Sequence, residues 1–330
     1  MSKCWFIIGS NSFSGASFIR YLLEKGDTVA GCSRSREALD VFLPYKWTAE
    51  SNKFVFHQFD LNSDTAQIID AIRGHQAEYV VNFAAQSMVA ESWLYPDQWY
   101  QTNVVANVRL HEGLRKIKNI EKYVHVTTPE VYGNCSGDVS EDAPFNPSTP
   151  YAASRAACDL HLMTFFKQYK FPVVFTRSAN VYGPGQQLYR IIPKTIFCIK
   201  SGIKLPLHGG GTSVRSFIHM NDVSEATRII AENGRLGECY HISTSRLVSI
   251  RELVEMICAA LGVCFDSVVE SVGERLGKDS AYRLDSSKIR HDLGWQDRIA
   301  LENGIAEVVA WMEKYWAQLK GLQPEYKHKV

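Results

Sequence analysis

Through the first half of the chain, short solid apolar runs alternate with stretches whose apolar residues recur at three- and four-residue spacing. The runs are CWFII (4–8), TVAGC (28–32), KFVFHQFD (53–60), EYVVNFA (78–84), KYVHVTT (122–128) and PVVFTRS (172–178). Between them, stretches such as Trp99 to Ile117 and Ala152 to Tyr169 carry the helical period. Strands alternating with helices predict a doubly wound α/β fold, a parallel sheet covered on both faces. Ligands in such sheets bind beyond the carboxyl ends of the strands, so the strand endings become the places to look. Past residue 182 the rhythm turns irregular, with the Gly/Pro-rich segments YGPGQQ and LHGGGTS. The later helical patterns SIRELVEMICAALG and LENGIAEVVAWMEKYWAQL suggest a smaller α/β domain capping the sheet. The expected division is 1–182, with 216–246 returning to it, against 183–215 plus 247–330.

Composition narrows the function classes. The 330 residues can bury a sizeable core, and 45% apolar with 22% charged residues is ordinary for a globular protein. A net charge of +1 argues against a nucleic-acid or membrane surface driven by bulk charge. The eight cysteines form no C-x-x-C pair and no Cys/His cluster at zinc spacing, so idle thiols in a reducing cytoplasm, and no metal, are expected. The first apolar run is too short for a signal peptide, and no stretch approaches the roughly 18–20 apolar residues of a membrane span.

The first strand ends in GSNSFSG. Dinucleotide loops carry three glycines here: one for the tight turn, one for backbone approach to pyrophosphate, one for helix packing. Gly9 and Gly15 fill the outer positions, but Ser12 holds the middle one. Its hydroxyl could itself donate to a phosphate oxygen. Gly9, Asn11, Ser12, Phe13, Ser14 and Gly15 are the candidate cradle. The second strand ends in GCSRSR, where NAD users commonly place a carboxylate on the ribose hydroxyls. Ser33, Arg34 and Arg36 would instead welcome a 2′-phosphate, which favours NADP(H), with NAD(H) as the alternative. Asp60 and Leu61 follow the third strand and suit the adenine edge. Ala84, Ala85 and Gln86 follow the fourth, where small residues admit a cofactor.

In STPYAASR (148–155), Pro150 fits the first turn of a helix after a Ser/Thr cap. Tyr151 and Arg155 are four apart, hence on one helical face. A cation beside a phenol lowers its pKa, as a base for hydride transfer requires. The segment TPEVYG (128–133) precedes them at the end of the fifth strand.

Taken with AAQS, TNVVANV, RSANVYGPGQQLYRIIPK, GGGTSVRSFIHMNDV and RLGKDSAYRLDSSKIRHDLGW, these motifs occur in the order of one family. The chain resembles the extended short-chain dehydrogenase/reductases, with a Rossmann sheet, and within them the nucleotide-sugar 4,6-dehydratases. The resemblance implies that Tyr151 takes the proton of the sugar 4-hydroxyl while hydride passes to a tightly held nicotinamide. Thr128 would hydrogen-bond that oxygen, and Arg155 would stand where the family has lysine. Glu130 would remove the carbon 5 proton before water leaves from carbon 6. Pro129 is a departure, since dTDP-glucose dehydratases carry an aspartate there and GDP-mannose dehydratases a serine. Ser87, Asn180, Lys194, Arg215 and Arg275 are the implied substrate contacts. A nucleotide-diphosphate sugar as substrate, no nucleic acid or membrane partner, and a homodimer are likewise implied. The readings in competition are a 4-epimerase, 4-oxidase or decarboxylase, and a dinucleotide-sensing protein without catalysis, motivated by Ser12, Pro129 and Arg155.

Overall fold

The computed structural model describes residues 2–135, 137–273 and 283–328. Its centre is a seven-stranded parallel sheet. Five strands are β1 (Cys4–Ile8), β2 (Thr28–Ser33), β3 (Phe54–Gln58), β4 (Tyr79–Asn82) and β5 (Lys122–Val126). Val173–Ser178 and Cys239–Ile242 complete the sheet. The spatial order runs β3, β2, β1, β4, β5, Val173–Ser178, Cys239–Ile242. The order therefore reverses between β1 and β4, which makes the space beyond their carboxyl ends the switch point where ligands settle.

The solid apolar runs have a simple cause, because both faces of the sheet are covered. Trp5, Ile7, Val29, Val81, Val124 and Val174 point into one core, packed with helices Phe13–Glu24 and Met220–Asn233. Their neighbours Phe6, Ile8, Ala30, Val80, Tyr123 and Val173 point into the other, against Thr65–Gly74, Asn107–Leu114 and Pro150–Tyr169. A third core unites helices Ile191–Ser201, Ile250–Ala260 and Leu301–Lys314. Short strand pairs link distant segments: Asn180–Tyr182 runs parallel to Phe217–His219, and Val214–Arg215 antiparallel to Val248–Ser249. Asp222 fixes this region structurally, its carboxylate accepting from the Ile299 amide at 3.1 Å. All eight cysteines are free thiols. Among the described residues no helix is long and apolar enough to cross a membrane.

His111, His125, His219 and His241 are almost wholly buried. Burial holds each imidazole below its ordinary pKa, His219 at about 4 and His241 at about 3. Unfolding lets them take up protons below about pH 6.5, so their effect on stability is nil above that pH and grows as pH falls. Each contributes a slope of about 1.4 kcal/mol per pH unit until its folded pKa is reached. The urea midpoint should therefore drop steeply between pH 6.5 and 5. A flat profile across that window would show these imidazoles already charged in the fold.

Candidate active site

The turn leaving β1 closes against β4. Gly9 has φ +85°, in the left-handed region, and a Cβ there would stand 2.7 Å from the Ala84 amide nitrogen. A Cβ on Gly15 would lie 2.3 Å from the Gly9 carbonyl oxygen. Both positions therefore demand glycine. Ser12 does not, having φ −70° and ψ 155°. Its hydroxyl donates to the Gly9 carbonyl at 2.7 Å and accepts from the Gly15 amide at 3.0 Å. This corrects the expectation of a hydroxyl held out for phosphate: the group is spent closing the loop and capping helix Phe13–Glu24. The cap leaves first-turn amides of that helix as anion donors. The Phe13 side chain is buried in the core, so only its backbone faces the cradle. Ser14, next along, is half-buried.

Three bonds from Asn11 lace the loops after β1 and β2 together. The Asn11 amide donates to Ser33 Oγ at 2.9 Å, and Asn11 Nδ2 donates to the carbonyls of Ser35 (3.0 Å) and Arg36 (3.1 Å). Arg34 is half-buried and Arg36 exposed. The next carboxylate along the chain, Glu37, accepts from the Tyr45 hydroxyl at 2.7 Å and pairs with Lys46 at 2.9 Å. Asp60 Oδ1 accepts from the Asn62 amide, and the Leu61 side chain packs into the core, so only Leu61's backbone is left for an adenine edge.

Beyond β4, Ala84 is held by Asn82, whose Oδ1 accepts from its amide at 2.9 Å. Ala85 is half-buried, Gln86 buried and Ser87 exposed. Asn103, unread from the sequence, organises this loop. It accepts from the Gln86 amide (2.9 Å), donates to the Gln86 carbonyl (3.0 Å) and donates to Ser154 Oγ (3.0 Å). It lies fully buried in a π-helical stretch, Gln101–Ala106, a form common at functional sites. An asparagine on the buried side of an amphipathic pattern was its signal.

The catalytic candidates converge beyond β5. Thr128 caps the four-residue turn Pro129–Tyr132 by accepting from the Glu130 amide at 3.3 Å, with Pro129 at the tolerant first position. Thr149 caps Pro150–Tyr169, accepting from the Ala152 amide at 3.1 Å. Tyr151 hydrogen-bonds Thr128, and Glu130, Arg155 and Arg190 all lie close enough to shift its phenol. Burial pushes that phenol up, and the Glu130 charge adds to it; Arg155, the Thr128 bond and Arg190 pull down and lose. The expectation of a depressed tyrosine is thus overturned for the chain alone, because burial outweighs one neighbouring cation. Arg155 is 2% exposed, donates from Nη2 to the Val126 carbonyl, and its Nε has no hydrogen-bond partner. Arg190 was also missed, though a basic residue just past YGPGQQ was its visible signal.

Of the substrate candidates, Asn180 is held beside the residue that follows Arg215, its amide donating to the carbonyl of Ser216 at 3.1 Å. Lys194 sits on helix Ile191–Ser201, where burial pushes the Cys198 thiol up and the Lys194 charge offsets only part of that rise. Arg275 lies outside the described residues. One buried group, His111, His125 and Cys158, brings metal-ligand atoms within 4.8 Å of one another. The two imidazoles meet the Tyr123 hydroxyl at 3.1 and 3.3 Å, as members of a hydrogen-bonded network.

Glycines that no larger residue could replace, at a switch point, and an orphaned buried guanidinium nitrogen beside the tyrosine fit a dinucleotide. A Rossmann sheet with this tyrosine–arginine helix defines an extended short-chain dehydrogenase/reductase. The chain belongs to the GDP-mannose 4,6-dehydratase family, whose model matches residues 6–308. It is 32% identical to a dTDP-glucose 4,6-dehydratase of Xanthomonas campestris pv. campestris, over 95% of each chain. The human dTDP-D-glucose 4,6-dehydratase is 33% identical over 74% of this chain and 71% of its own. DesIV, the dTDP-glucose 4,6-dehydratase of Streptomyces venezuelae solved with NAD bound, superposes with a TM-score of 0.88 at 30% identity. That match covers 96% of this chain and 98% of DesIV. A Thermotoga maritima UDP-glucose 4-epimerase shares the fold, with a TM-score of 0.86 at 24% identity over 95% and 99%. The expected class, a nicotinamide-dependent nucleotide-sugar 4,6-dehydratase, is borne out at the level of the family.

Proposed function

We propose that this chain dehydrates a nucleotide-diphosphate hexose to its 4-keto-6-deoxy form, with the four residues Thr128, Glu130, Tyr151 and Arg155 at the reacting centre. The observation that carries it is a carboxylate, Glu130, near enough to Tyr151 to raise its phenol. An epimerase needs only the tyrosine; elimination needs a second base. Tyr151 takes the proton of the 4-hydroxyl, and Thr128 donates to the same oxygen. When bound, the nicotinamide supplies a hydride acceptor for carbon 4 and a donor for carbon 6. Glu130 removes the carbon 5 proton, now acidified by the adjacent ketone, and passes it to the departing 6-hydroxyl. That transfer makes one water and stands in for the acid absent at Pro129. Carbon 5 finally regains a proton from solvent, which balances the one Tyr151 received. Asn180 and Arg215 would hold the diphosphate, with Lys194 and Ser87 around it, between the sheet and the lobe of 183–215 and 247–330. Incubation with dTDP-glucose, UDP-glucose or GDP-mannose in deuterium oxide should yield a product lacking one water and carrying deuterium at carbon 5. A 4-epimer without deuterium from every one of them would replace the reading with epimerisation.

The cofactor is held by the cradle from Gly9 to Gly15 and by Arg155, and we infer a preference for NADP(H). Arg34 and Arg36 border the ribose end, and Glu37 is occupied elsewhere. DesIV was solved with NAD, so the outcome is a direct contest between the two forms. Denatured protein should release dinucleotide, and the Arg34→Ala/Arg36→Ala variant should lose more affinity for the phosphorylated form. Equal affinities in the unaltered protein would refute the preference.

A homodimer is proposed on similar grounds. Trp93, Leu94, Tyr100, Val105, Leu160 and Tyr169 are exposed apolar residues on or beside the helices around Asn107 and Pro150–Tyr169, whereas Trp99 is fully buried. Eight free cysteines suit a reducing cytoplasm.

A further inference from the structure

Behind the reacting cluster lies a buried ion pair that the chemistry above does not use. Arg177, at 3% exposure, is next to last in the strand Val173–Ser178; Asp159, at 2%, sits one turn past Arg155 on the Tyr151 helix. Arg177 Nη2 donates to Asp159 Oδ2 at 2.8 Å, and the same oxygen accepts from Thr127 Oγ1 at 3.0 Å. The other arm, Nη1, donates to the Tyr132 hydroxyl at 2.6 Å and meets Cys239 Sγ at 3.1 Å. The Tyr132 ring lies under the guanidinium, its centroid 4.9 Å away, and its hydroxyl also meets His241 Nε2 at 2.8 Å. Thr127 and Tyr132 are the two ends of the segment that carries Thr128 and Glu130. One forked pair thus grips that segment at both ends and ties it to the helix bearing Tyr151.

Stability does not account for this arrangement. A buried pair rarely repays its desolvation, and here Arg177 Nε and Asp159 Oδ1 have no hydrogen-bond partner. His125 Nε2 stands 3.5 Å from Asp159 Oδ1. What a planar guanidinium fork supplies is fixed direction at two sites at once. The need falls unequally on the two bases. Tyr151 rides on a twenty-residue helix with its own cap, whereas Glu130 rides on a four-residue turn.

We infer that Arg177 and Asp159 are positioning residues for the elimination half of the reaction, setting Glu130 at its offset from Tyr151. The inference rests on the reading of Glu130 as the carbon 5 base. Arg177→Lys keeps the charge but loses the fork, and Tyr132→Phe removes one hydroxyl while keeping the ring. Both are to be purified with cofactor and assayed on whichever of dTDP-glucose, UDP-glucose or GDP-mannose the unaltered enzyme dehydrates. Misplacement of a reacting group by about 1 Å can cost about 10²-fold. Water loss should therefore slow about 30-fold in Arg177→Lys and about 10-fold in Tyr132→Phe. KM and the rate of cofactor reduction by substrate should stay within about threefold, a split that mere loss of folded protein would not produce. Equal slowing of both half-reactions, or unchanged water loss in both folded variants, overturns the inference. Glu130→Gln in the same assays separates the two readings. If it stalls while Arg177→Lys runs normally, only the positioning role falls; if it dehydrates normally, the base assignment falls and the inference with it.

Discussion

With Tyr151 replaced by phenylalanine, the protein should still bind nucleotide sugar but no longer reduce its cofactor. Phenylalanine fills the same buried space and accepts no proton, so the 4-hydroxyl keeps its hydrogen and no hydride can leave carbon 4. The loss should reach or exceed the upper part of the range of about 10²–10⁴-fold typical of one acid–base group. Stopped-flow absorbance of the reduced nicotinamide reads this directly. The unaltered enzyme adds a second test. Burial and the Glu130 charge hold the phenol above its ordinary value, so in the chain alone it is protonated at neutral pH. Only the phenolate accepts a proton, and the rate of carbon 4 oxidation should therefore rise with pH through the neutral and alkaline range. A rate in Tyr151→Phe within tenfold of the unaltered one would move the base to another residue.

How far the sequence reached can be seen in single residues. Six of the seven sheet strands were legible to within a few residues because the covered faces leave apolar runs that turns interrupt, whereas the edge strand Cys239–Ile242, a short CYHI run, was not read as a strand. The run 53–60 shortens to Phe54–Gln58, since Phe59 to Leu61 already turn toward the next helix. Helix starts at Thr149–Pro150 were legible because a cap and an N-terminal proline are local chemistry. The role of Ser12 was not, because it depends on a backbone conformation that lets the hydroxyl reach back to Gly9. The Tyr151 phenol was read with the wrong sign, since spacing reveals its cation but not its burial. Asn103 and the Arg177–Asp159 pair escaped for another reason. Their partners are 17 to 51 residues away for Asn103 and 18 to 62 for Arg177, and only tertiary packing brings such groups together. Asn180 and Arg215 were named from motifs, but the pairing of Asn180–Tyr182 with Phe217–His219, which brings the two motifs side by side, joins segments far apart in the chain.

Glu130 decides between the reactions open to this fold. In Glu130→Gln the side chain keeps its size and its hydrogen-bonding capacity, yet it can neither take the carbon 5 proton nor deliver one to the leaving hydroxyl. Because Pro129 offers no acid, both halves of the elimination should fail together, with a loss of water release of about 10³-fold or more. Oxidation at carbon 4 should survive, so the variant stalls with reduced cofactor and a 4-keto sugar, and no deuterium enters carbon 5 from deuterium oxide. The same substitution carries an electrostatic signature. The Glu130 charge is one of the influences that raise the Tyr151 phenol, so removing it should move the pH profile of oxidation toward lower pH. Stalling together with that shift would tie both roles to one carboxylate. Normal water loss in Glu130→Gln would assign the carbon 5 proton to some other group, and an unshifted oxidation profile would separate Glu130 from Tyr151 in the working enzyme.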